Sequence, residues 1–304
     1  MDFLLSYDDV FSRGKRDIGK YTAGVQHHIP LKAGATPVKQ KLRRVPFAYQ
    51  EGVKSDLKEM LEDGIIERST CEWASPLVIV RKPSGNLRIR VDYRKLNEAT
   101  RVASNPLPNM TETLDQLADA KFFTAIDMAS GYHQIEVAPE DQHKTTFVSP
   151  FGLFQYCRLP FGLAGALGTL QGVIEDSLQV LDAEDFMVYL DDVTCFHSGF
   201  EEHLKGIGRL LQTIRKAGFK LSGKKCPFAT RSVKFLGLAI DKDGIRPQPE
   251  KLDIIQEWKV PKDEPDPWRF LVVCTLWRRF VKNFAHIAVP LHDLLNKSEF
   301  VWTS

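Results

Sequence analysis

The chain has 304 residues, of which 43% are hydrophobic and 26% charged, and its formal net charge is +2. This composition excludes a collagen, a coiled coil and a disordered chain, and the length predicts two or three packed units. The longest apolar runs are far shorter than the roughly 20 residues of a membrane-spanning helix. An acidic pair, Asp8-Asp9, stands where a signal peptide carries basic residues, so we expect a protein that is not secreted.

The first half of the chain predicts an arm, a helix and a strand pair. Residues 1–47 show little periodicity and contain three prolines, which indicates an extended arm. Residues 48–65 place apolar side chains at helical spacing and end near a glycine, as an amphipathic helix does. Two strand-like runs, 76–82 and 87–92, flank a Pro-Ser-Gly-Asn turn and predict a hairpin.

The remaining elements mix strands and helices without a strict alternation. The predicted strands are 122–128, 131–137, 145–148, 154–158, 186–189, 193–196 and 233–239. The predicted helices are 111–121, 169–181, 204–214 and most of the chain after residue 245. The chain has no glycine-rich loop of the dinucleotide or Walker type. We therefore predict an α+β fold with helices on one face of an antiparallel sheet.

Five cysteines are scattered along the sequence, and no two of them form a C-x-x-C pair. They are Cys71, Cys157, Cys195, Cys226 and Cys274. An odd number without such pairs supports neither a disulfide framework nor a zinc knuckle. We expect unpaired thiols in a reducing compartment.

Basic residues are concentrated in two segments of this nearly neutral chain. Residues 215–234 carry seven Lys and Arg residues and no acid, and residues 39–44 carry four more. Two such patches suit a protein that contacts phosphates along a groove. From charge alone, a solvated protein surface is the more frequent explanation.

Two acidic positions stand out by their context. Asp127 follows a buried-looking apolar run, and Asp191-Asp192 lies between two apolar strands. Taken alone, these acids are an ordinary strand cap and an ordinary turn. If the strands are neighbours, Asp127 and Asp191 converge at one edge of the sheet, where their oxygens suit Mg²⁺ or Mn²⁺ better than zinc. A pair of such ions can stabilise the attacking and leaving oxygens of a phosphoryl transfer.

Seven motifs occur along the chain in a fixed order. They are Trp73–Val78, Leu87–Asn97, Phe123–Ile135, Leu159–Leu163, Tyr189–Asp192, Val233–Gly237 and Arg278–Phe284. In this order and spacing they resemble the polymerase region of gypsy-type long-terminal-repeat retrotransposon reverse transcriptases, which are relatives of the retroviral enzymes. The resemblance covers residues from about 25 to 304, nearly the whole chain.

The resemblance implies a right-hand polymerase fold with fingers, a palm built on an antiparallel sheet, and a helical thumb. The implied boundaries are 1–39 for an N-terminal arm, 40–105 and 138–158 for the fingers, 106–137 and 159–243 for the palm, and 244–304 for the thumb. The connection and RNase H domains are expected to be absent from this chain.

The resemblance also implies an activity and its residues. A reverse transcriptase adds dNTPs to a primer 3′-hydroxyl on an RNA or DNA template, using two Mg²⁺ ions for which Mn²⁺ can substitute. The implied catalytic and metal-binding residues are Asp127, Asp191 and Asp192, with Met128 as a further metal ligand. The implied dNTP-binding residues are Lys82, Arg88, Tyr132, Phe161 and Gly162, with Tyr132 excluding a 2′-hydroxyl. The implied primer- and template-binding residues are Tyr189, Gly165, Gln171, Phe235, Leu236 and Gly237.

The implied partners are an RNA or DNA template, a DNA or RNA primer and dNTPs, with no membrane. A homodimer and a separate RNase H domain both stay open. The expected location is the cytoplasm, inside a virus-like particle, or the nucleus.

Two segments depart from the family pattern and keep an alternative open. Gly165, Leu167 and Leu170 stand where the family has asparagine, proline and phenylalanine, and residues 268–277 also differ. Glycine in a helix lowers its stability by about 1 kcal/mol, so the altered helix start is expected to be looser. The alternative is a domesticated, catalytically weak nucleic-acid-binding protein derived from a retroelement. An RNA-dependent RNA polymerase is disfavoured by the bulky Tyr132.

Overall fold

The computed structural model describes residues 2–14, 16–81, 87–102, 114, 117, 120–181, 185–189, 192–261 and 265–295. The helices are α1 (Asp2–Leu5), α2 (Phe47–Glu62), α3 (Arg94–Ala99), α4 (Pro139–Gln142), α5 (Ala166–Leu178), α6 (Phe200–Ala217), α7 (Pro249–Gln256), α8 (Pro265–Thr275) and α9 (Phe284–Leu295). The strands are β1 (Ile66–Arg68), β2 (Ser75–Arg81), β3 (Leu87–Val91), β4 (Phe122–Ile126), β5 (Phe147–Ser149), β6 (Gly152–Tyr156), β7 (Phe186–Tyr189), β8 (Asp192–His197), β9 (Ser232–Phe235), β10 (Leu238–Asp241) and β11 (Gly244–Pro247).

The largest sheet has five strands in the order β1-β6-β5-β2-β3. Its neighbours are antiparallel except β2 and β5, which run parallel with Ser75 opposite Phe147. The predicted hairpin of 76–82 and 87–92 is confirmed as β2 and β3. All five strands fall inside the two ranges assigned to the fingers, and the domain boundaries themselves stay a prediction.

A second, three-stranded sheet has the order β4-β8-β7 and is antiparallel throughout. Successive side chains of a strand point to opposite faces, and this alternation divides the apolar residues between two cores. Val193 and Cys195 of β8 join a core with residues of α5 and α6, whereas Phe196 joins the other core with Val233 and Phe235 of β9. The predicted antiparallel sheet with helices on one face is confirmed.

Helix α6 is the amphipathic element that the stripe over 204–214 predicts. Its buried residues Ile207, Leu210, Leu211 and Ile214 recur at helical spacing and pack toward β4 and β8. The helix ends at Gly218, whose φ of 79° lies in the left-handed region that glycine tolerates. Helix α6 therefore fixes the sheet from one side, and its end is set by a residue type that the backbone requires.

Three sequence predictions need correction. Residues 233–239 are two strands, β9 and β10, because Leu236 and Gly237 adopt φ values of 49° and 81° and reverse the chain. Residues 131–137 begin with a short 3-10 turn over Gly131–Gln134 instead of a strand. The chain after Gly244 starts with strand β11 before its helices. Most of the helix predicted over 111–121 lies outside the described residues.

The N-terminal arm begins with helix α1 and a 3-10 turn over Asp8–Val10, which the sequence did not predict, and beyond them it is extended and packed into the fold. Val10, Tyr21 and Ile29 are buried in the same core as α6. The Ser12 amide donates to the Leu221 carbonyl (2.8 Å), and the Lys20 amide donates to the Gly218 carbonyl (3.0 Å). Residues about 200 positions apart in the sequence thus complete one layer of the structure.

The α+β fold class is confirmed. Within the described ranges, every helix is too short or too polar to cross a lipid bilayer.

Candidate active site

An open cleft of about 600 Å³ lies between the five-stranded sheet with α2 and the three-stranded sheet. The predicted site residues that line it are Asp127, Met128, Tyr132, Phe161 and Asp192. They come from three separate stretches of the sequence, and the fold brings them to one place.

Asp127 is held at the end of β4 by its own backbone. Its carbonyl accepts a hydrogen bond from the Ser222 amide (2.8 Å), and its amide lies 3.2 Å from the Cys226 Sγ. These contacts leave the side chain directed into the cleft, where the carboxylate is 38% exposed. Both carboxylate oxygens lie 3.2 Å from the Nζ of Lys225. The ammonium group shows that this carboxylate accepts a cation through both oxygens.

Asp192 is the first residue of β8 and pairs in register with Tyr189 of β7. On its other side, β8 pairs with β4, and the last residue pair of that ladder is Ile126 opposite Val193. Asp127 and Asp192 are each the next residue beyond this pair. Both acids line the cleft. Asp191, the second predicted metal ligand, lies outside the described residues, and its separation from Asp127 stays a prediction.

The oxygens of Asp127 and Asp192 fit a hard divalent cation. Such ions prefer carboxylate, carbonyl and water oxygens. Met128 lines the same cleft, and its backbone is fixed by a bridge to Leu221. The donor set in this cleft is therefore of the chemical type that a divalent metal ion requires.

The predicted nucleotide pocket is aromatic. The ring centroids of Tyr132 and Phe161 lie 4.4 Å apart at the floor of the cleft. Gly162, with a φ of 91°, follows Phe161, and its carbonyl accepts a hydrogen bond from Asn97 Nδ2 (2.9 Å). This bond ties the turn to α3. Arg88 belongs to β3, but its side chain is outside the described part of the structure, as is all of Lys82.

The predicted primer and template residues do not line this cleft. Tyr189 packs edge-on against the buried ring of Phe235, with centroids 5.9 Å apart. Leu236 and Gly237 form the turn between β9 and β10, in the core that also contacts Trp277. These residues pack within the protein, in or against one core cluster. Their contact with nucleic acid stays a prediction.

The other two residues of that set lie around α5. Gly165, with a φ of 81°, precedes α5 and borders a separate groove, and α5 forms through Leu178 without a side-chain cap. Gln171 is buried and donates to the Glu175 carboxylate (2.7 Å). Their roles in template binding also stay predictions.

Sequence reasoning missed several residues that line the cleft. The sequence places Lys225 only in the basic segment 215–234, which is expected to contact phosphates. In the structure its ammonium group contacts Asp127. Arg90 lines the cleft from β3, and the alternation of strand residues could have found it, since it lies two positions from Arg88. Asp56 and Glu59 line the cleft from α2, on the polar side of the predicted helix.

His27 lies beside the start of α5 and gives the fold a pH dependence. It is 2% exposed, its Nδ1 lies 2.8 Å from the Thr169 hydroxyl, and its Nε2 has no hydrogen-bond partner among the residues described. Burial lowers the pKa of His27 to about 4. An unfolded histidine has a pKa near 6.5, so the unfolded state binds more protons between these values and stability falls as the pH falls.

We expect this imidazole to remove about 2 kcal/mol from the free energy of unfolding between pH 7 and pH 5. Denaturant titrations at several pH values measure the slope, and His27→Gln should flatten it by this amount. Thr169→Ser retains both the hydroxyl and the imidazole and should keep the wild-type slope. Equal slopes for wild type and His27→Gln would show that the buried imidazole does not control the pH dependence.

Comparison with known proteins agrees with this geometry. The family profile described as "Reverse transcriptase (RNA-dependent DNA polymerase)" matches residues 80–240, more than half of the chain. The chain belongs to the reverse transcriptase family.

The similar proteins are retrotransposon polyproteins. The chain is 34% identical over 283 residues to the "Retrovirus-related Pol polyprotein from transposon 297" of Drosophila melanogaster, covering 91% of this chain and 26% of that protein. It is 36% identical over 265 residues to the Pol polyprotein from transposon gypsy of the same organism, covering 85% of this chain and 26% of that protein. The predicted gypsy-type resemblance is confirmed, and the chain spans about a quarter of the length of these relatives.

Solved structures show the same fold. The foamy viral protease-reverse transcriptase dRH in complex with ds DNA matches with a TM-score of 0.91 at 24% identity, covering 100% of this chain and 53% of that one. The foamy viral protease-reverse transcriptase in complex with RNA/DNA hybrid matches with a TM-score of 0.86 at 24% identity, covering 100% of this chain and 41% of that one. The right-hand polymerase fold expected from the sequence is therefore confirmed.

Proposed function

We propose that this chain is an RNA-directed DNA polymerase, which adds dNTPs to a primer 3′-hydroxyl on an RNA or DNA template. The observation that carries the proposal is the placement of Asp127 and Asp192 in one cleft, beside the aromatic pair Tyr132 and Phe161. Family membership and the nucleic-acid complexes of the structural neighbours support it.

The reaction forms a bond between the primer 3′-oxygen and the α-phosphorus of the dNTP and breaks the bond to pyrophosphate. When bound, two Mg²⁺ ions, or Mn²⁺ in their place, supply positive charge that stabilises the attacking and leaving oxygens. Asp127 and Asp191 would hold these ions, together with the Met128 carbonyl, and Asp192 would lie near them as a less direct ligand. The carboxylates therefore act by charge and position, with no covalent intermediate.

The remaining groups of the cleft bind and orient the nucleotide. We propose that Lys82 and Arg88 grip the triphosphate, because a cation and a planar guanidinium suit phosphate oxygens. Arg90 lines the cleft from the same strand as Arg88 and adds a further positive charge. Tyr132 and Phe161 form the surface against which the sugar rests. The basic segment 215–234 would contact the backbone of the primer or template, with salt-dependent affinity.

Primer extension tests the proposal directly. With poly(rA)/oligo(dT) and dTTP, we expect incorporation that requires Mg²⁺ or Mn²⁺ and stops on addition of a chelator. A DNA template with the same primer tests the second template class. Tight binding of template-primer with no incorporation in either metal would contradict the proposal and favour a nucleic-acid-binding protein.

Tyr132 provides a test of the nucleotide pocket. Because its ring faces the cleft against Phe161, shortening the side chain removes the group that would collide with a 2′-hydroxyl. We expect Tyr132→Val to reduce the preference for dTTP over rUTP by roughly 10–100-fold, which corresponds to a steric barrier of about 1–3 kcal/mol. The ratio of kcat/KM for the two nucleotides measures it.

Tyr132→Phe is the matched control, since it retains the ring and removes only the hydroxyl group. Its preference should remain that of the wild type. If Tyr132→Val kept the full preference, the pocket would have to exclude ribonucleotides by another residue.

The state of the cysteines bears on where the protein acts. All five cysteines, which lie within the described ranges, are unpaired, in keeping with a reducing compartment. We propose action in the cytoplasm, within a virus-like particle, or in the nucleus.

A further inference from the structure

Two histidines and a cysteine form a buried cluster at the opposite end of β8 from Asp192. Cys195 and His197 belong to β8, and His203 lies in the first turns of α6. The Cys195 Sγ is 3.7 Å from the Nδ1 of His197 and 3.8 Å from the Nδ1 of His203, and the two Nδ1 atoms are 3.1 Å apart. All three side chains are buried, with at most 5% exposure. Three potential metal-ligand atoms therefore lie within 4.8 Å of one another.

The backbone explains why these side chains converge. Cys195 and His197 are two positions apart on a strand, so both point to the face that α6 covers. Helix α6 approaches closely because residue 206 is glycine. A Cβ atom there would lie 2.4 Å from the His197 ring and 3.4 Å from the Cys195 Sγ. Glycine at position 206 therefore allows the helix to pack directly against the Cys195 and His197 side chains.

The outer ring nitrogens lie near polar groups. The Nε2 of His197 is 3.1 Å from the Asp185 carboxylate, and that carboxylate also pairs with Arg209. The angle of this contact is not that of a hydrogen bond, so the His197 Nε2 has no hydrogen-bond partner among the described residues. The Nε2 of His203 lies 2.9 Å from the Thr124 hydroxyl, and the neighbouring Phe123 backbone also hydrogen-bonds this histidine.

The positions of the ring protons decide how the centre of the cluster is satisfied. If both rings carry their proton on Nε2, the two Nδ1 lone pairs face each other at 3.1 Å, and the single thiol proton can satisfy only one of them. An unsatisfied buried acceptor costs about 1–3 kcal/mol. Outer carboxylate and hydroxyl partners on histidines are the pattern found around protein-bound metals. A cation at the centre would satisfy both nitrogens and the sulfur together.

The spacing fits a tetrahedral ion. Zinc lies about 2.3 Å from thiolate sulfur and about 2.0–2.1 Å from imidazole nitrogen, which places S and N ligands roughly 3.6 Å apart and two N ligands roughly 3.3 Å apart. The observed separations of 3.7, 3.8 and 3.1 Å are close to these values. A thiolate with two imidazoles selects Zn²⁺ over the Mg²⁺ that carboxylates prefer.

We propose that Cys195, His197 and His203 bind one Zn²⁺ ion, which fastens helix α6 to strand β8 of the catalytic sheet. The thiol loses its proton to solvent when the sulfur–metal bond forms, and both imidazoles bind as neutral rings. Three protein ligands leave one position of a tetrahedral ion for a water molecule. None of the three residues lines the cleft of Asp127, so this ion is separate from the catalytic ions and the proposal does not rest on polymerase activity.

Metal analysis of the purified, tag-free chain tests the proposal. We expect about one zinc ion per chain after dialysis against micromolar Zn²⁺ and removal of excess metal. After chelation, Co²⁺ should restore occupancy and give a thiolate-to-cobalt charge-transfer band in the near ultraviolet. Cys195→Val, which fills the space with an apolar side chain, should abolish the band and the bound zinc.

Two further variants separate metal binding from misfolding. Asp185→Asn keeps all three ligands and should weaken Co²⁺ binding by roughly 10–100-fold, as loss of an outer partner does. Cys274→Ser removes a half-buried thiol on α8 and should bind metal like the wild type. Circular dichroism establishes whether each variant is folded. Zinc content in the wild type no higher than in folded Cys195→Val, or a cobalt complex without the thiolate band, would overturn the proposal.

Discussion

Asp127→Asn is expected to reduce nucleotide incorporation by roughly 10³-fold or more while leaving the protein folded. The substitution keeps the shape of the side chain and removes its negative charge. Loss of one group that stabilises transition-state charge typically costs about 3–4 kcal/mol, and loss of a proposed ligand of the catalytic ions should cost at least that much. Single-nucleotide extension under saturating template-primer measures the rate.

Stability cannot account for a loss of this size. The ion pair of Asp127 with Lys225 is solvent-exposed, and such pairs contribute about 0–1 kcal/mol. Asp243→Asn, at an exposed acid between β10 and β11, is the matched control and should keep wild-type activity. Template-primer affinity should be retained in both variants. An Asp127→Asn protein that extends primers at the wild-type rate would exclude the two-ion mechanism in this cleft.

Gly218→Ala is expected to lower the free energy of unfolding by about 2–5 kcal/mol. Two effects combine at this position. The left-handed backbone, with a φ of 79°, disfavours any Cβ atom, and that atom would lie 2.2 Å from the Lys20 carbonyl oxygen. Relief requires either the end of α6 or the arm to move, which breaks the bond from the Lys20 amide to the Gly218 carbonyl. Urea denaturation followed by circular dichroism measures the loss.

Gly34→Ala separates the two effects. Gly34 has a φ of 76°, but a Cβ atom there would meet no atom within 4 Å. This variant should lose only the conformational part, about 1–2 kcal/mol. If Gly218→Ala were no more destabilising than Gly34→Ala, the close contact between the arm and α6 would not contribute to stability.

The sequence predicts strands β7 and β8 well, and it predicts the turn between β9 and β10 poorly. Tyr189 to Asp192 lies between two apolar runs, and the local pattern suffices to indicate β7 and β8. The reversal at Leu236 is different, because a branched apolar residue with a φ of 49° is held there by packing against a core cluster that Trp277 and Phe280 also contact. Local propensity favours a continuous strand at that point, and the packing overrides it.

The candidate site shows the same limit. Motif resemblance selected Asp127, Tyr132 and Phe161, which the fold brings together in the cleft. It could not reveal that Lys225 contacts Asp127, because the partner lies 98 positions away and the charge pattern alone fits a solvated surface. It also treated Cys195 as an isolated thiol. The spacing of Cys195, His197 and His203 becomes informative only once β8 and α6 are known to pack face to face.

The position of the arm has a consequence for how the protein is made. Backbone bonds join Ser12 and Lys20 to residues 218 and 221, so the ribosome must add about 200 residues before the arm finds its partners. At about 5–20 residues per second this interval lasts roughly 10–40 s. During translation the arm is without these partners for that time, which suits a segment with little strand periodicity. This layer of the structure is therefore completed by residues that are translated about 200 positions before their partners.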